Sequence, residues 1–425
     1  MLRKYSFPGF KRWLIYTIFG IGAIVFGVAL ILKARPVTVI YNFIWDVLSF
    51  IADHVPPTAS GIIAISLGSF LMLFALFRAN KQLFSMLAPD ESSMLETIDR
   101  YHMQGKGIKI VAIGGGTGLS NMLRGLKGFS SNITAVVTVA DDGGSSGKLR
   151  ESLNIVPPGD MRNCIAALAH DDEVITKLFQ YRFDNDAPES LKNHSFGNLF
   201  LTALVELGGS KNMADAVSHA CTILKTRGKV YPVSNTPMKI TARFEDGSVV
   251  HGESNIPKGT GKIVEISCED TKPEILPEVL EAIAEAELII LGPGSLYTSI
   301  IPNLLVPGLS EAIVESDAKK VYVCNVMTQP GETTNYAVSD HVQAIFDHSN
   351  LSEGLIDYVV VNEKSPSKKQ LVKYGADQQF PVDLNPSRLK KMGLKVLSAN
   401  LLNQGNLVRH NPRRLAKTIM KLFKD

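Results

Sequence analysis

Short apolar runs and longer stretches of helical spacing alternate along the C-terminal three quarters of the chain. Residues 109–113 form an apolar run that enters a turn of glycines, and residues 119–126 follow with helix formers. A second apolar run, residues 133–139, stops at paired aspartates. Residues 194–207 pass from a polar, glycine-containing entry into an apolar helix. Residues 239–253 then alternate with the strand period around Glu245, Asp246 and Gly247, a hairpin turn, and residues 263–267 add another strand. An amphipathic helix is expected over residues 274–286, followed by a strand at 288–291 and a second glycine turn. A strand from Lys320, a helix over 338–348 and a strand over 356–361 come next. Near the end, Asn411 and Pro412 stand at the cap and first position of a last helix. Strand and helix in regular alternation predict an α/β fold: a Rossmann-like, doubly wound, mostly parallel sheet with a small β insertion.

The first 80 residues follow another pattern. Residues 14–32 and 61–77 carry no charge, and a membrane span needs about 20 apolar residues, with about 17 as the lower limit. Arg3, Lys4, Lys11 and Arg12 precede the first stretch, and Arg78 and Lys81 follow the second. Basic flanks of this kind predict a two-helix transmembrane hairpin with both ends in the cytosol. The expectation is a multi-pass protein of the plasma (inner) membrane with its C-terminal domain in the cytoplasm. Residues 37–55 hold Asp46, Asp53 and His54 among aromatic side chains and suit an interfacial segment. Three regions result: a membrane hairpin over 1–80, a connector over 81–107 and a nucleotide-binding α/β domain over 108–425.

Composition narrows the classes of function. The 425 residues carry 44 basic and 41 acidic side chains, a formal charge of +3, so no bulk attraction to nucleic acid is expected. Cys164, Cys221, Cys268 and Cys324 are far apart, which excludes a zinc ribbon and a disulfide framework.

Candidate chemistry collects where strands end. Gly114, Gly115, Gly116, Thr117 and Gly118 precede Leu119, the first of the helix formers, so backbone N–H groups and the positive end of a helix face one loop. Asp141 and Asp142 close the next strand, and Ser145 and Ser146 follow in a glycine-serine loop. Asp160 sits where a helix N-cap belongs, with Arg162 and Asn163 in the first turn after it. His194, Ser195 and Asn198 mark a further polar helix entry. Gly294, Ser295 and Thr298 repeat the strand–glycine turn–helix plan, and Asn325 lies in the polar loop after another strand. Anion binding at the carboxyl ends of neighbouring strands is the shared implication.

Six pieces carry a family resemblance: IGGGTGLSNMLRGLK, VVTVADDGGSSGKLR, PPGDMRNCIAALA, HSFGNLFLTAL, LGPGSLYTSIIPNLL and CNVMTQPGET. In this order they resemble the gluconeogenesis-factor (YvcK/CofD-like) family, related to 2-phospho-L-lactate transferase. The resemblance implies a Rossmann-like domain with an insertion. It further implies binding of a nucleotide sugar such as UDP-N-acetylglucosamine or UDP-glucose, a role in cell shape and cell-wall precursor supply, and no assigned reaction. A homo-oligomer is the expected assembly. The ligand would lie against the residues named above, Gly114 to Leu119 and Gly294-Ser295 cradling the diphosphate. The alternative is a phospho-group transferase that uses a nucleotide-activated substrate, with Mg²⁺ held by Asp141 and Asp142; the first reading needs no cofactor. This chain departs from the family pattern at Lys148, where Arg is frequent, and in its first 80 residues. An NAD-dependent enzyme is disfavoured, because the third glycine of G-x-G-x-x-G is Leu119 or Asn121 here.

Overall fold

The structure is a computed structural model. It describes residues 35–54, isolated helical positions at 58, 66, 70, 74 and 78, and residues 107–423 apart from 170–172, 185, 210–211, 269–271 and 406. The chain divides into two compact units, Met1–Met94 and Leu95–Asp425.

In the first unit Arg35–His54 forms one helix of 20 residues, within the segment expected at an interface. Phe43 and Trp45 stand exposed on it, and Asp46 and Asp53 interrupt its apolar positions. Among the described residues no helix is long and apolar enough to cross a membrane. The expected multi-pass placement in the inner membrane is corrected on that ground. Residues 14–32, the first expected span, lie outside the described residues, as do residues 61–77 apart from Ser66, Phe70 and Phe74.

The second unit is built on a seven-stranded sheet in the order β10-β9-β8-β7-β1-β2-β3. The strands are β1 (Ile110–Gly114), β2 (Ile133–Val137), β3 (Lys229–Pro232), β7 (Leu288–Leu291), β8 (Lys319–Val323), β9 (Tyr358–Asn362) and β10 (Lys395–Ala399). Every pairing in it is parallel. All residues of β1 and β7 are buried, as a strand covered on both faces requires. The helices Gly116–Leu126, Gly159–Leu168 and Pro412–Met420 pack together beside it. Asn411 caps the last of these, its side chain accepting from the Arg414 N–H at 3.0 Å.

The expected insertion lies between β3 and β7. It holds β4 (Ile240–Phe244), β5 (Val249–His251) and β6 (Ile263–Cys268), an antiparallel sheet in the order β5-β4-β6. From β1 the chain winds outward through β2 and β3, then returns to β7 on the other side of β1. β1 and β7 therefore flank the point where the winding reverses. Doubly wound sheets bind ligands there, outside the carboxyl ends of the strands.

Candidate functional site

Both glycine turns meet at that switch point. The Gly292 N–H donates to the Ile113 carbonyl at 2.8 Å, which continues the β1–β7 pairing into the turns. Gly116 has φ +66°, a conformation in which L side chains are strained. Gly115, Gly116, Thr117, Gly118, Gly294, Ser295 and Asn325 line one cavity of about 500 Å³. Asn325 donates to the Gly294 carbonyl at 2.8 Å, and Gln329 donates to Ser295 Oγ at 2.7 Å, so the second turn is held by side chains from beyond β8. The remaining wall comes from the C-terminal part of the chain, including Lys373, Tyr374, Arg409 and His410. Sequence reading missed these four. His410 is buried, its carbonyl accepts from Asn121 at 2.7 Å, and burial pushes its imidazole down to about 4.

The polar residues that close β2 and open the next helices form a neighbouring cluster. Asp160 is not the cap of its helix: Pro158 holds that place, and Asp160 lies in the first turn. Its Oδ2 accepts the Gly116 N–H at 2.7 Å, so one donor of the glycine turn is already occupied by a carboxylate. Burial raises Asp160 to about 6, and the charge of Asp141 adds to that rise. Asp141 is raised as well, by burial first, although its Oδ1 accepts the Gly143 N–H at 2.9 Å. Beneath them Arg150, 7% exposed, donates to the Ala140 and Asp141 carbonyls at 3.1 Å and to Met238 at 2.6 Å. That buried cation fixes the end of β2, a role that sequence reading missed.

Asp142 has a different task. Its two oxygens accept the Glu253 and Ser254 N–H groups, each at 2.9 Å, and so tie the β insertion to the end of β2. Glu253 is thereby held near Asp141, Asp142, Asp160 and Glu332, and burial raises its carboxyl to about 8. Both Asp142 oxygens are thus engaged in backbone hydrogen bonds. Among the described residues, no group of His, Cys, Asp and Glu is arranged to hold a metal. Asp142→Asn should therefore destabilise the fold by about 1–3 kcal/mol, because one backbone N–H then meets an amide N–H instead of a carboxylate oxygen. Urea denaturation measures this, and a variant as stable as the parent would disprove the clamp.

Ser145, Ser146, His194 and Asn198 are buried in the same cluster. Asn198 donates to Ser145 Oγ at 3.0 Å, and Ser145 Oγ lies 2.9 Å from His194 Nδ1. Arg162 Nη2 donates to Asn163 Oδ1 at 2.8 Å. Three of the expected residues lie away from the crevice surface. Ser195 is the N-cap of Phe196–Gly208, accepting from the Asn198 N–H, and is 0% exposed. Leu119 is 0% exposed in the core, and Thr298, 3% exposed, hydrogen-bonds the buried Glu332. Burial raises Glu332 to about 7, while the Tyr297 N–H and Thr298 act to lower it.

Comparison with known proteins adds what geometry alone does not. The family described as 2-phospho-L-lactate transferase CofD matches residues 110–402. A Nostoc protein named putative gluconeogenesis factor is 44% identical over 99% of this chain and 92% of its own length. The gluconeogenesis factor of Bacillus subtilis is 45% identical over 75% of this chain and 98% of its own. The first 80 residues thus have a counterpart in the Nostoc relative, whereas the Bacillus protein corresponds to the α/β unit. A crystal structure of a Bacillus halodurans protein superimposes with a TM-score of 0.70 at 45% identity, covering 74% of this chain and 99% of that one. The chain belongs to the CofD family, and its full-length and α/β-unit relatives carry the name gluconeogenesis factor.

Proposed function

We propose that the chain binds a nucleotide sugar, such as UDP-N-acetylglucosamine or UDP-glucose, and acts through that binding as a regulator of cell shape and cell-wall precursor supply under gluconeogenic growth. The observation that carries this reading is the facing pair of glycine turns at the β1/β7 switch point, opening on a cavity of about 500 Å³. Gly115 to Gly118 and Gly294-Ser295 hold the diphosphate, with Arg409 and Lys373 supplying charge from the opposite wall. Tyr374 offers a ring face to the base or the sugar. Asp160 and Glu253, both raised, present carboxyl groups suited to hydroxyls rather than to phosphate.

Calorimetric titration of the full chain with UDP-N-acetylglucosamine should give saturable binding that EDTA leaves unchanged. Ligand at about 100 times its Kd should add about 2.7 kcal/mol of stability. Absence of binding to both UDP-sugars sinks the reading. Binding abolished by EDTA and restored by Mg²⁺ would favour the phospho-group transferase instead. Millimolar NAD should leave the melting temperature where it was.

A further inference from the structure

A group of cations lies outside the residues that line the glycine-turn cavity. Arg182 forms an isolated antiparallel bridge with Ser195, and its guanidinium donates to the Asn193 carbonyl. Arg162 runs along the next helix entry, where a Cβ on Gly197 would stand 2.8 Å from its Cγ. After burial, the charge of Arg182 is the largest influence lowering the Arg162 pKa. Burial, then Lys148 and then Arg182 lower the pKa of His194. Two cations, Lys148 and Arg182, therefore act on this imidazole, and Arg182 also acts on Arg162. Among the described residues none of Lys148, Arg162 and Arg182 forms a salt bridge. The carboxylates nearest Arg162, Asp160 and Asp141, already accept backbone N–H groups of Gly116 and Gly143.

Two buried polar atoms beside these cations are unsatisfied: Arg162 Nε, a donor, and Asn198 Oδ1, an acceptor on a side chain 2% exposed. Buried polar atoms without partners cost stability, so an unmatched donor and an unmatched acceptor in one cluster point to a ligand that supplies both. His194 adds a ring nitrogen, Nε2, to the same cluster. Asn198 donates to Ser145 Oγ, and the same oxygen lies 2.9 Å from His194 Nδ1, so one network holds the amide, the hydroxyl and the imidazole.

We infer that Lys148, Arg162, Arg182 and His194 form a second anion subsite, which takes a phosphate or carboxylate group carried beside a hydroxyl. The cations and Arg162 Nε bind the oxyanion, and Asn198 Oδ1 accepts from the hydroxyl. This inference rests on the nucleotide-sugar reading only in placing the nucleotide elsewhere, at the glycine turns. The site binds a second, smaller anion, separate from the nucleotide ligand.

The test titrates the full chain with inorganic phosphate and, separately, with acetate, in the parent, Arg182→Gln and Lys148→Gln. Both substituted side chains are exposed, so the fold should persist, which circular dichroism checks. Saturable binding of one of the two anions is expected, about tenfold weaker in each variant. Phosphate alone or acetate alone identifies the group. The same samples are titrated with UDP-N-acetylglucosamine, whose affinity should be unchanged by the substitutions and by saturating anion. Equal anion affinity in the parent and both variants overturns the subsite, as does simple competition between the anion and the nucleotide sugar. Anion binding lost in the variants while no protein binds the nucleotide sugar would uphold the subsite and refute the proposed function.

Discussion

Gly118→Val should destabilise the α/β unit by about 3 kcal/mol or more and abolish nucleotide-sugar binding. A Cβ at this position would stand 2.4 Å from the Pro293 carbonyl oxygen, 2.8 Å from its carbon and 3.2 Å from Gly294 Cα. All three are backbone atoms, so no rotamer change relieves the contact. The turns cannot simply separate, because β1 and β7 are paired up to Leu291 and the Gly292 N–H extends that pairing. Gly116→Ala is the useful contrast. Its Cβ would meet nothing closer than 3.8 Å, and only its φ of +66° penalises it, which predicts a smaller loss of about 1 kcal/mol. Denaturation curves and calorimetry on the two variants separate crowding from strain. Gly118→Val with parental stability and affinity would remove the contact between the turns from any account of the site.

The turns were legible because each lies within a few residues of its own strand, and local punctuation of an apolar run is what a sequence displays. The strand at Leu288–Leu291 and the hairpin around Glu245, Asp246 and Gly247 were read for the same reason. β10 was not, since Lys395–Ala399 is an edge strand with no fully buried residue and hence no apolar run. Asp160 was placed one role away from its own, because Pro158 occupies the cap and frees the carboxylate to reach Gly116, 44 residues earlier. Asp142 looked like a ligand-facing acid, but its partners are backbone N–H groups 111 and 112 residues downstream. Arg409 and His410 reach the cavity from the other end of the unit, and their neighbours in sequence carry no signal of it. At the N-terminus, apolar length suggested membrane spans. Those stretches, 14–32 and 61–77, lie almost wholly outside the described residues, and the described helix Arg35–His54, read as interfacial, is not long and apolar enough to cross a membrane. Local signals survive in sequence, whereas contacts made by long-range closure do not.

The buried carboxyl cluster should cost the unliganded protein stability as pH rises from about 4 to about 8, and Glu253→Gln should remove that residue's share of the cost. Asp160 moves from 3.8 to about 6 and Glu253 from 4.5 to about 8, in each case chiefly through burial and then through the charge of Asp141. A carboxyl whose pKa is higher in the folded state binds its proton more tightly there than in the unfolded chain. Stability is then greatest below the unfolded pKa and falls until pH passes the folded one. At about 1.4 kcal/mol for each pH unit of difference, Glu253 accounts for a loss on the order of 5 kcal/mol, and Asp160 for about 3 kcal/mol. Each group's rise includes repulsion within the cluster, so removing one charge also relieves the other, and Glu253→Gln should flatten the profile beyond pH 6. The backbone clamp to Asp142 survives this change, because it uses the Glu253 N–H and not its side chain. Urea denaturation of the parent and the variant at pH 5 and pH 8 measures the slopes. A nucleotide sugar that donates hydroxyls to these carboxyls should steady the ionised cluster, so its stabilising effect should be larger at pH 8 than at pH 5. Parallel pH profiles for parent and variant would show that Glu253 ionises freely, and the cluster would then lose its claim to select hydroxyl donors over phosphate.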